Sequence, residues 1–422
     1  MRDISTTNEI RRRNRARVLE HLIVDGGSTR MELAEACGLS AASATNMVQD
    51  LLAAGLVRED GLVPSGAGRP RSFVQAESDA AYFVGADVGE SEVTLGLYDL
   101  TLRLRDVVQI GASSTSTSPG VIADELSRGL AELERRNIDA WARVRGIGLA
   151  LPGIVDTNNG SASMLYAQSI GWPPVAISAL LPNQGIHVVA DNGAKAFARA
   201  ELRCGAIKGQ PDAESAVVVL LGRGVGMGIL EHGRIVRGLS SSAGEFGHMK
   251  VVVDGPQCSC GARGCLEALV GSDAIAARWY ERGGASFDSA RECIAHLVRH
   301  AADDPLAAEV LDDTVRYLTT GLSNVVNMIN PGLCVIGGWL GSELMAARAP
   351  QIEAGTKSLA LAHPGEQVRV LTSRLGGEAI ALGGALIALE QYLETLGEPA
   401  PHSASHVPTT SIGADMRSLR SL

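Results

Sequence analysis

No run of apolar residues in the 422-residue chain is long enough to span a membrane, and the arginines near the N-terminus are not followed by an apolar core. Neither a membrane protein nor a secretory signal is expected, and the chain is read as cytoplasmic. A disulfide framework is also missing. The seven cysteines are an odd number, and three of them, Cys258, Cys260 and Cys265, fall within eight residues, which fits a reducing compartment and a metal site better than paired bridges. Nor is there an overall basic charge. The formal net charge is −10, yet residues 1–74 hold ten Lys and Arg against nine Asp and Glu, so the acidic excess belongs to the remainder. Attraction to nucleic acid would need only a local basic face. From about Glu394 the chain loses hydrophobic periodicity and turns to Pro, Ser, Thr and His, as expected of a flexible tail over 394–422.

What is present is an ordinary globular composition, 45% hydrophobic and 20% charged, with length for about three domains. The stretch from Ser242 to Glu267 organises the rest. His248, Cys258, Cys260 and Cys265 offer one imidazole and three sulfurs, a tetrahedral donor set suited to zinc (Zn2+), and Gly255, Gly261 and Gly264 allow the tight backbone that would gather them. The other cysteines, Cys37, Cys204, Cys293 and Cys334, read as small buried apolar residues.

Near the N-terminus, Asn8 to Val24 has Ile10, Leu19, Leu22 and Ile23 on one helical face, and Asp25-Gly26-Gly27 ends it. Arg11, Arg12, Arg13, Arg15 and Arg17 crowd its first turns, as a solvated face or a phosphate-attracting one. Thr29 and Glu32 have capping-box spacing, Cys37-Gly38-Leu39 is a tight turn, and Ser40 can cap a helix with Ala44, Met47, Val48, Leu51 and Leu52 inward. This is a helix-turn-helix layout with the third helix directed to the major groove. Its outer face carries Ser43, Thr45, Asn46 and Gln49, and Asn and Gln can pair bidentately with adenine. Leu56 to Val63 reads as two short strands around a turn, a wing. Arg69 and Arg71, in the Gly/Pro-rich stretch that follows, suit either a narrow minor groove or a linker.

Gly244-Glu245-Phe246-Gly247-His248 followed by the Cys258 to Glu267 stretch resembles the signature of the ROK family of sugar kinases and sugar-responsive repressors, and Asn14 to Phe73 resembles the winged helix-turn-helix fused to its regulators. The resemblance extends from about Asn14 to Tyr392. It implies an α/β chain: a winged helix-turn-helix at 1–75, then a two-lobed actin/hexokinase-like (ribonuclease H-like) ROK domain with lobes at 80–205 and 206–393. It implies that Glu245, His248 and Glu267 face sugar hydroxyls, that Pro152-Gly153 forms the sugar-site loop, and that Ser169 stands where the family has a sugar-contacting Asn.

Departures from the family's kinases carry as much information. In the first phosphate loop Glu90, Ser91 and Glu92 replace Gly, Thr and Lys, and two carboxylates there would repel phosphates. Arg223 replaces a Thr of the second phosphate loop, and Trp339 replaces the third glycine of a stretch that packs near adenosine. Anchored on Glu201 and Gly205, Asn192 matches the first Asn of the kinase motif, Gly193 the catalytic Asp and Lys195 the second Asn; a shifted register would bring Asp191 towards the catalytic position. In the anchored register the general base is absent. Lys195 would either bind a phosphate or carboxylate of the effector or project outward from a helix. The expectation is a sugar-responsive repressor without catalytic residues, binding a double-stranded operator and a sugar or sugar-phosphate as a homodimer or higher homo-oligomer. The rivals are a zinc-containing ATP-dependent sugar kinase with an accessory DNA-binding domain, and a regulator whose vestigial pocket answers to a partner protein.

Overall fold

The computed structural model describes residues 7–65, 68–89, 92–111, 118–157, 163–181 and 185–396, with backbone alone at 7, 62–65 and 68–71. The N-terminal unit runs α1 (Thr7–Val24), β1 (Ser28–Thr29), α2 (Arg30–Ala36), α3 (Ala41–Ala53), β2 (Val57–Ser65) and β3 (Gly68–Ala76). The capping box forms: Thr29 Oγ1 accepts from the Glu32 amide, and the Glu32 carboxylate accepts from the Thr29 amide at 2.7 Å. Ser40 caps α3, whose Ala44, Met47, Val48 and Leu51 are buried. In α1, Val18, Leu19, Leu22 and Ile23 are buried, whereas Ile10 is 50% exposed. That end of α1 meets α3 through the Arg11–Asp50 ion pair, at 2.7 Å, instead of apolar contact.

The wing differs from the sequence expectation. Val57 to Ser65 is one strand, and Gly61 (φ +73°) is not a hairpin turn but part of a bulge where the register slips between Glu59, opposite Val74, and Leu62, opposite Ser72. A glycine with left-handed backbone accommodates the extra residue. The Gly-Arg-Pro stretch therefore belongs to β3, the central strand of the order β1-β3-β2, and is no linker.

Two sheets of like topology follow. The first contains β4 (Tyr82–Val88), β5 (Glu92–Asp99), β6 (Leu104–Gly111), β7 (Val144–Leu151) and β11 (Val188–Asn192), in the order β11-β7-β4-β5-β6. Between them lie α4 (Pro119–Arg136), α5 (Ile138–Trp141), a small sheet of β8 (Ile154–Asp156), β9 (Met164–Tyr166) and β10 (Val175–Ala176), and α6 (Ile177–Leu180). Helix α7 (Gly193–Cys204) leads to the second sheet: β12 (Ser215–Leu221), β13 (Val225–Glu231), β14 (Arg234–Ile235), β15 (Leu333–Gly337) and β16 (Arg369–Thr372), in the order β14-β13-β12-β15-β16. Each sheet is an antiparallel three-strand meander extended by two parallel strands. Helices α8 (Glu267–Val270), α9 (Ser272–Glu281), α10 (Ala290–His300), α11 (Pro305–Ile329), α12 (Gly338–Leu359) and α13 (Ala362–Gln367) belong to the second lobe, and α14 (Ala379–Thr395) closes the chain's described part.

Helices α7 and α14 pack across the expected lobe boundary. Helix α14, inside the expected second lobe 206–393, packs on β4 and β7 of the first sheet, while α7 packs on β12, β13 and α14. Glycines make the contact possible: a Cβ at Gly148 would sit 1.8 Å from the Gly384 carbonyl oxygen, and one at Gly383 would sit 2.1 Å from that of Ala196. The N-terminal unit shares a core with the same helix, in which Val18, Leu19 and Leu22 join Leu386, Leu389 and Leu393. Helix α14 runs to Thr395, and the expected tail beyond 396 lies outside the described residues.

Candidate functional site

Backbone hydrogen bonds fold the cysteine loop before any ion is considered. The Cys258 amide donates to Ala262 O (2.8 Å), the Gly264 amide to Pro256 O (2.9 Å), and the Leu266 amide to Met249 O (2.9 Å). Gly261 and Gly264 have φ of +89° and +72°, and a Cβ on Gly264 would lie 1.6 Å from Val252 O. One ligand atom from each of His248, Cys258, Cys260 and Cys265 lies within 4.8 Å of the others. Cys260 Sγ and Cys265 Sγ are 3.7 Å apart, and Cys258 Sγ is 3.8 Å from His248 Nδ1. A tetrahedral ion with zinc bond lengths needs ligand separations of roughly 3.5–3.8 Å, so these two separations match and the four donors fit in number and chemistry.

An ammonium group faces the sulfurs of the loop. Lys250 Nζ lies 3.0 Å from Cys265 Sγ and donates to His248 O at 2.8 Å. Burial pushes the Cys258 thiol up to about 11; at Cys260 burial acts the same way, but the Ala262 amide and the neighbouring cysteines outweigh it and the thiol falls below its ordinary value. Glu267 ties the loop to the second sheet, its Oε2 accepting from the Val225 amide (3.0 Å) and its Oε1 from Ser259 Oγ (3.3 Å).

Across from the loop, Asn192 caps α7: its Oδ1 accepts from the amides of Ala194 and Lys195, and its Nδ2 donates to Gly153 O at 2.7 Å. Gly153 has φ +90°, and a Cβ there would lie 2.4 Å from Tyr166 O. Lys195 does not project outward. It is 1% exposed, with Nζ donating to Ser241 O at 2.7 Å and with Asp191 and Glu245 as its electrostatic neighbours. Burial raises the Glu245 carboxyl above the usual range, against the pull of Lys195 and His248. Gly153, Asn192, Lys195, Glu245, His248 and Glu267 thus form a linked set. Ser169 lies on the 3-10 turn Gln168–Ile170, and among the described residues no hydrogen bond joins it to this set.

Asp191 is fully buried and engaged: Oδ2 receives Arg199 Nη1 at 2.9 Å and Arg237 Nη2 at 2.8 Å, and Oδ1 the Asn192 amide. Sequence reasoning missed Arg199 and Arg237, although an arginine between Ala198 and Ala200 in an apolar stretch was a signal. At the glycine loop between β12 and β13, Arg223 pairs with Asp273 (2.8 Å), and Trp339, beneath the Arg291 guanidinium at 4.6 Å, comes so close that a Cβ on Gly222 would meet its indole nitrogen at 3.2 Å. Glu90 and Ser91 lie outside the described residues. Cys204 proves exposed, unlike Cys37, Cys293 and Cys334, because it ends α7 at the surface.

On the candidate DNA face, Asn46 and Gln49 are exposed, whereas Ser43 and Thr45 are half-buried. Thr45 Oγ1 donates to Ala41 O (2.8 Å), and Ser43 Oγ accepts from Ser40 Oγ (2.9 Å). A recess of about 290 Å³, lined by Thr29, Arg30, Met31, Ala41, Thr45 and Ser72, adjoins them. The side chains of Arg69 and Arg71 fall outside the described residues.

Residues 83–391 match the model of the ROK family, and residues 12–62 that of the MarR family. The xylose repressor of Bacillus subtilis (strain 168) is 25% identical over 398 residues, which is 93% of this chain and 99% of that protein. A glucokinase of Halalkalibacterium halodurans is 30% identical over 332 residues, 74% of this chain and 96% of its own. Among solved structures, a ROK family transcriptional regulator described as a homolog of the E. coli MLC protein superposes with a TM-score of 0.72 at 26% identity, over 92% of this chain and 97% of its own. With its two like sheets, its cysteine loop and a family match over most of its length, the chain belongs to the ROK family.

Proposed function

We propose that this chain is a sugar-responsive, DNA-binding transcriptional repressor without kinase activity, working as a cytoplasmic homodimer on a double-stranded operator. The single observation that carries the reading is the state of the kinase position. Gly193 has no proton acceptor, and Asp191, the one nearby carboxylate a shifted register would offer, is buried between two arginines. The packing of Trp339 and Arg291 near the glycine loop further speaks against a nucleotide there. Relatives that align over nearly the whole chain include a xylose repressor, whereas the glucokinase aligns over 74% of it.

In this reading His248, Cys258, Cys260 and Cys265 hold Zn2+, which supplies structural cross-linking of the loop. Glu245, Glu267 and the free ring nitrogen of His248 meet sugar hydroxyls from one side, with Gly153, Asn192 and Lys195 on the other. Sugar chemistry follows from these acceptors and donors, and a neutral sugar fits them better than a phosphorylated one, because the Lys195 ammonium is buried on Ser241 O beside Asp191 and Glu245. Two recognition helices on one DNA face call for a two-fold partner.

The test is binding to genomic fragments at stated salt, with and without xylose, glucose, N-acetylglucosamine and glucose 6-phosphate, beside a coupled assay for ATP consumption. Specific binding altered by one sugar supports the reading; ATP-dependent sugar phosphorylation without specific DNA binding overturns it. Asn46→Ala and Gln49→Ala are each expected to weaken operator binding about 5- to 150-fold, the worth of a bidentate base contact, with little change on random DNA. Equal losses on both DNAs would remove these residues as base readers.

A further inference from the structure

Helix α7 has one end in the candidate sugar site and the other on the DNA-binding unit. Its first turn is capped by Asn192, which also holds the Gly153 carbonyl, and Lys195 is buried there against Ser241 O. In its last turn Arg203 pairs with Glu20 of α1, and just beyond it Lys208 Nζ donates to Val24 O, the final carbonyl of α1. Twelve helical residues span about 18 Å. Halfway along, Arg199 bridges Asp191 and Glu390, the latter at 3.0 Å on α14, the helix that shares its core with α1. The C-terminal turn is also held to the second lobe, where Ser373 Oγ donates to the buried Glu201 carboxylate.

From this geometry we infer that α7 is the rigid element that carries the state of the sugar site to the DNA-binding unit, with Arg203 and Lys208 as the positioning residues that pass its displacement to α1. The inference rests on the reading of the Asn192–Glu245 region as an effector site. A short helix, pinned at both ends and packed on both sheets, cannot absorb a shift at its N-terminus by bending, so the shift appears at its far end. The Arg203–Glu20 pair is half-exposed and the Lys208 contact to Val24 O is exposed, so removing both is expected to leave the fold intact.

The relay is tested without any sugar, by amide hydrogen exchange of α1 in four full-length proteins: wild type, Asn192→Ala, Arg203→Ala/Lys208→Ala, and the triple variant. Asn192→Ala loosens the pocket end of α7 and is expected to speed exchange over residues 15–24 at least threefold. In the Arg203→Ala/Lys208→Ala background the same change is expected to add less than 1.5-fold. If Asn192→Ala prevents folding, Lys195→Met gives the same comparison. An α1 that ignores the pocket variant while α7 itself exchanges faster, or an equal response in both backgrounds, overturns the relay. A chain that passes this test yet answers to no sugar at its operator fails the effector reading alone.

Discussion

Cys258→Ser is expected to lower bound zinc from the one ion per chain proposed here to less than about a tenth, and to abolish the sugar response while operator binding persists. A thiolate lost from a four-ligand set removes a quarter of the donors from an ion whose binding is coupled to folding of the loop around it. Glu267 reaches both Ser259 of that loop and the Val225 amide, so a collapsed loop also displaces the carboxylate proposed to face the sugar. Elemental analysis after gel filtration measures the first effect, and operator titration with the active sugar measures the second. Cys204→Ser is the control, because Cys204 is exposed and remote from the cluster in sequence. Zinc and response both retained in Cys258→Ser would contradict the metal assignment.

The second large effect is expected at Asp191. Its carboxylate is inaccessible and receives two guanidinium groups, and the Arg199 side chain is itself only 6% exposed. Removing one partner of a buried pair leaves an uncompensated charge, so Asp191→Ala is expected to cost about 3–5 kcal/mol. The drop should appear in urea unfolding as a lower midpoint of the transition that reports the first sheet. Asp191→Asn, which keeps the acceptor oxygen, should lose less. A midpoint unchanged in Asp191→Ala would mean that Glu390 alone satisfies Arg199.

Legibility in the sequence followed the distance over which each feature is held together. The Thr29–Glu32 capping box and the Ser40 cap each span four residues and form as read. The cysteine loop is likewise local: its donors lie within eighteen residues, and the glycines that shape it lie between them. The wing was misread because Gly61 signals a left-handed backbone equally in a turn and in a bulge, and only the partner strand distinguishes them. The return of α14 to the first sheet was not legible, since Gly383 and Gly384 declare close packing but not its target. Lys195 was expected either outward or on the effector's charge; its contact with Ser241 O, forty-six residues away, follows from the meeting of two lobes and from nothing in its own helix. Arg199 bridges Asp191 and Glu390 for the same reason.

The most direct test of the account is a linkage measurement on one protein preparation. The affinity of the active sugar is determined by calorimetry for the free protein and for the protein saturated with its operator, and the operator affinity is determined with and without that sugar. If one chain couples a sugar site to a DNA site, the two ratios must be equal, and a coupling factor between about 5 and 150 is expected. A sugar that binds with the same affinity to free and operator-bound protein would contradict the central claim.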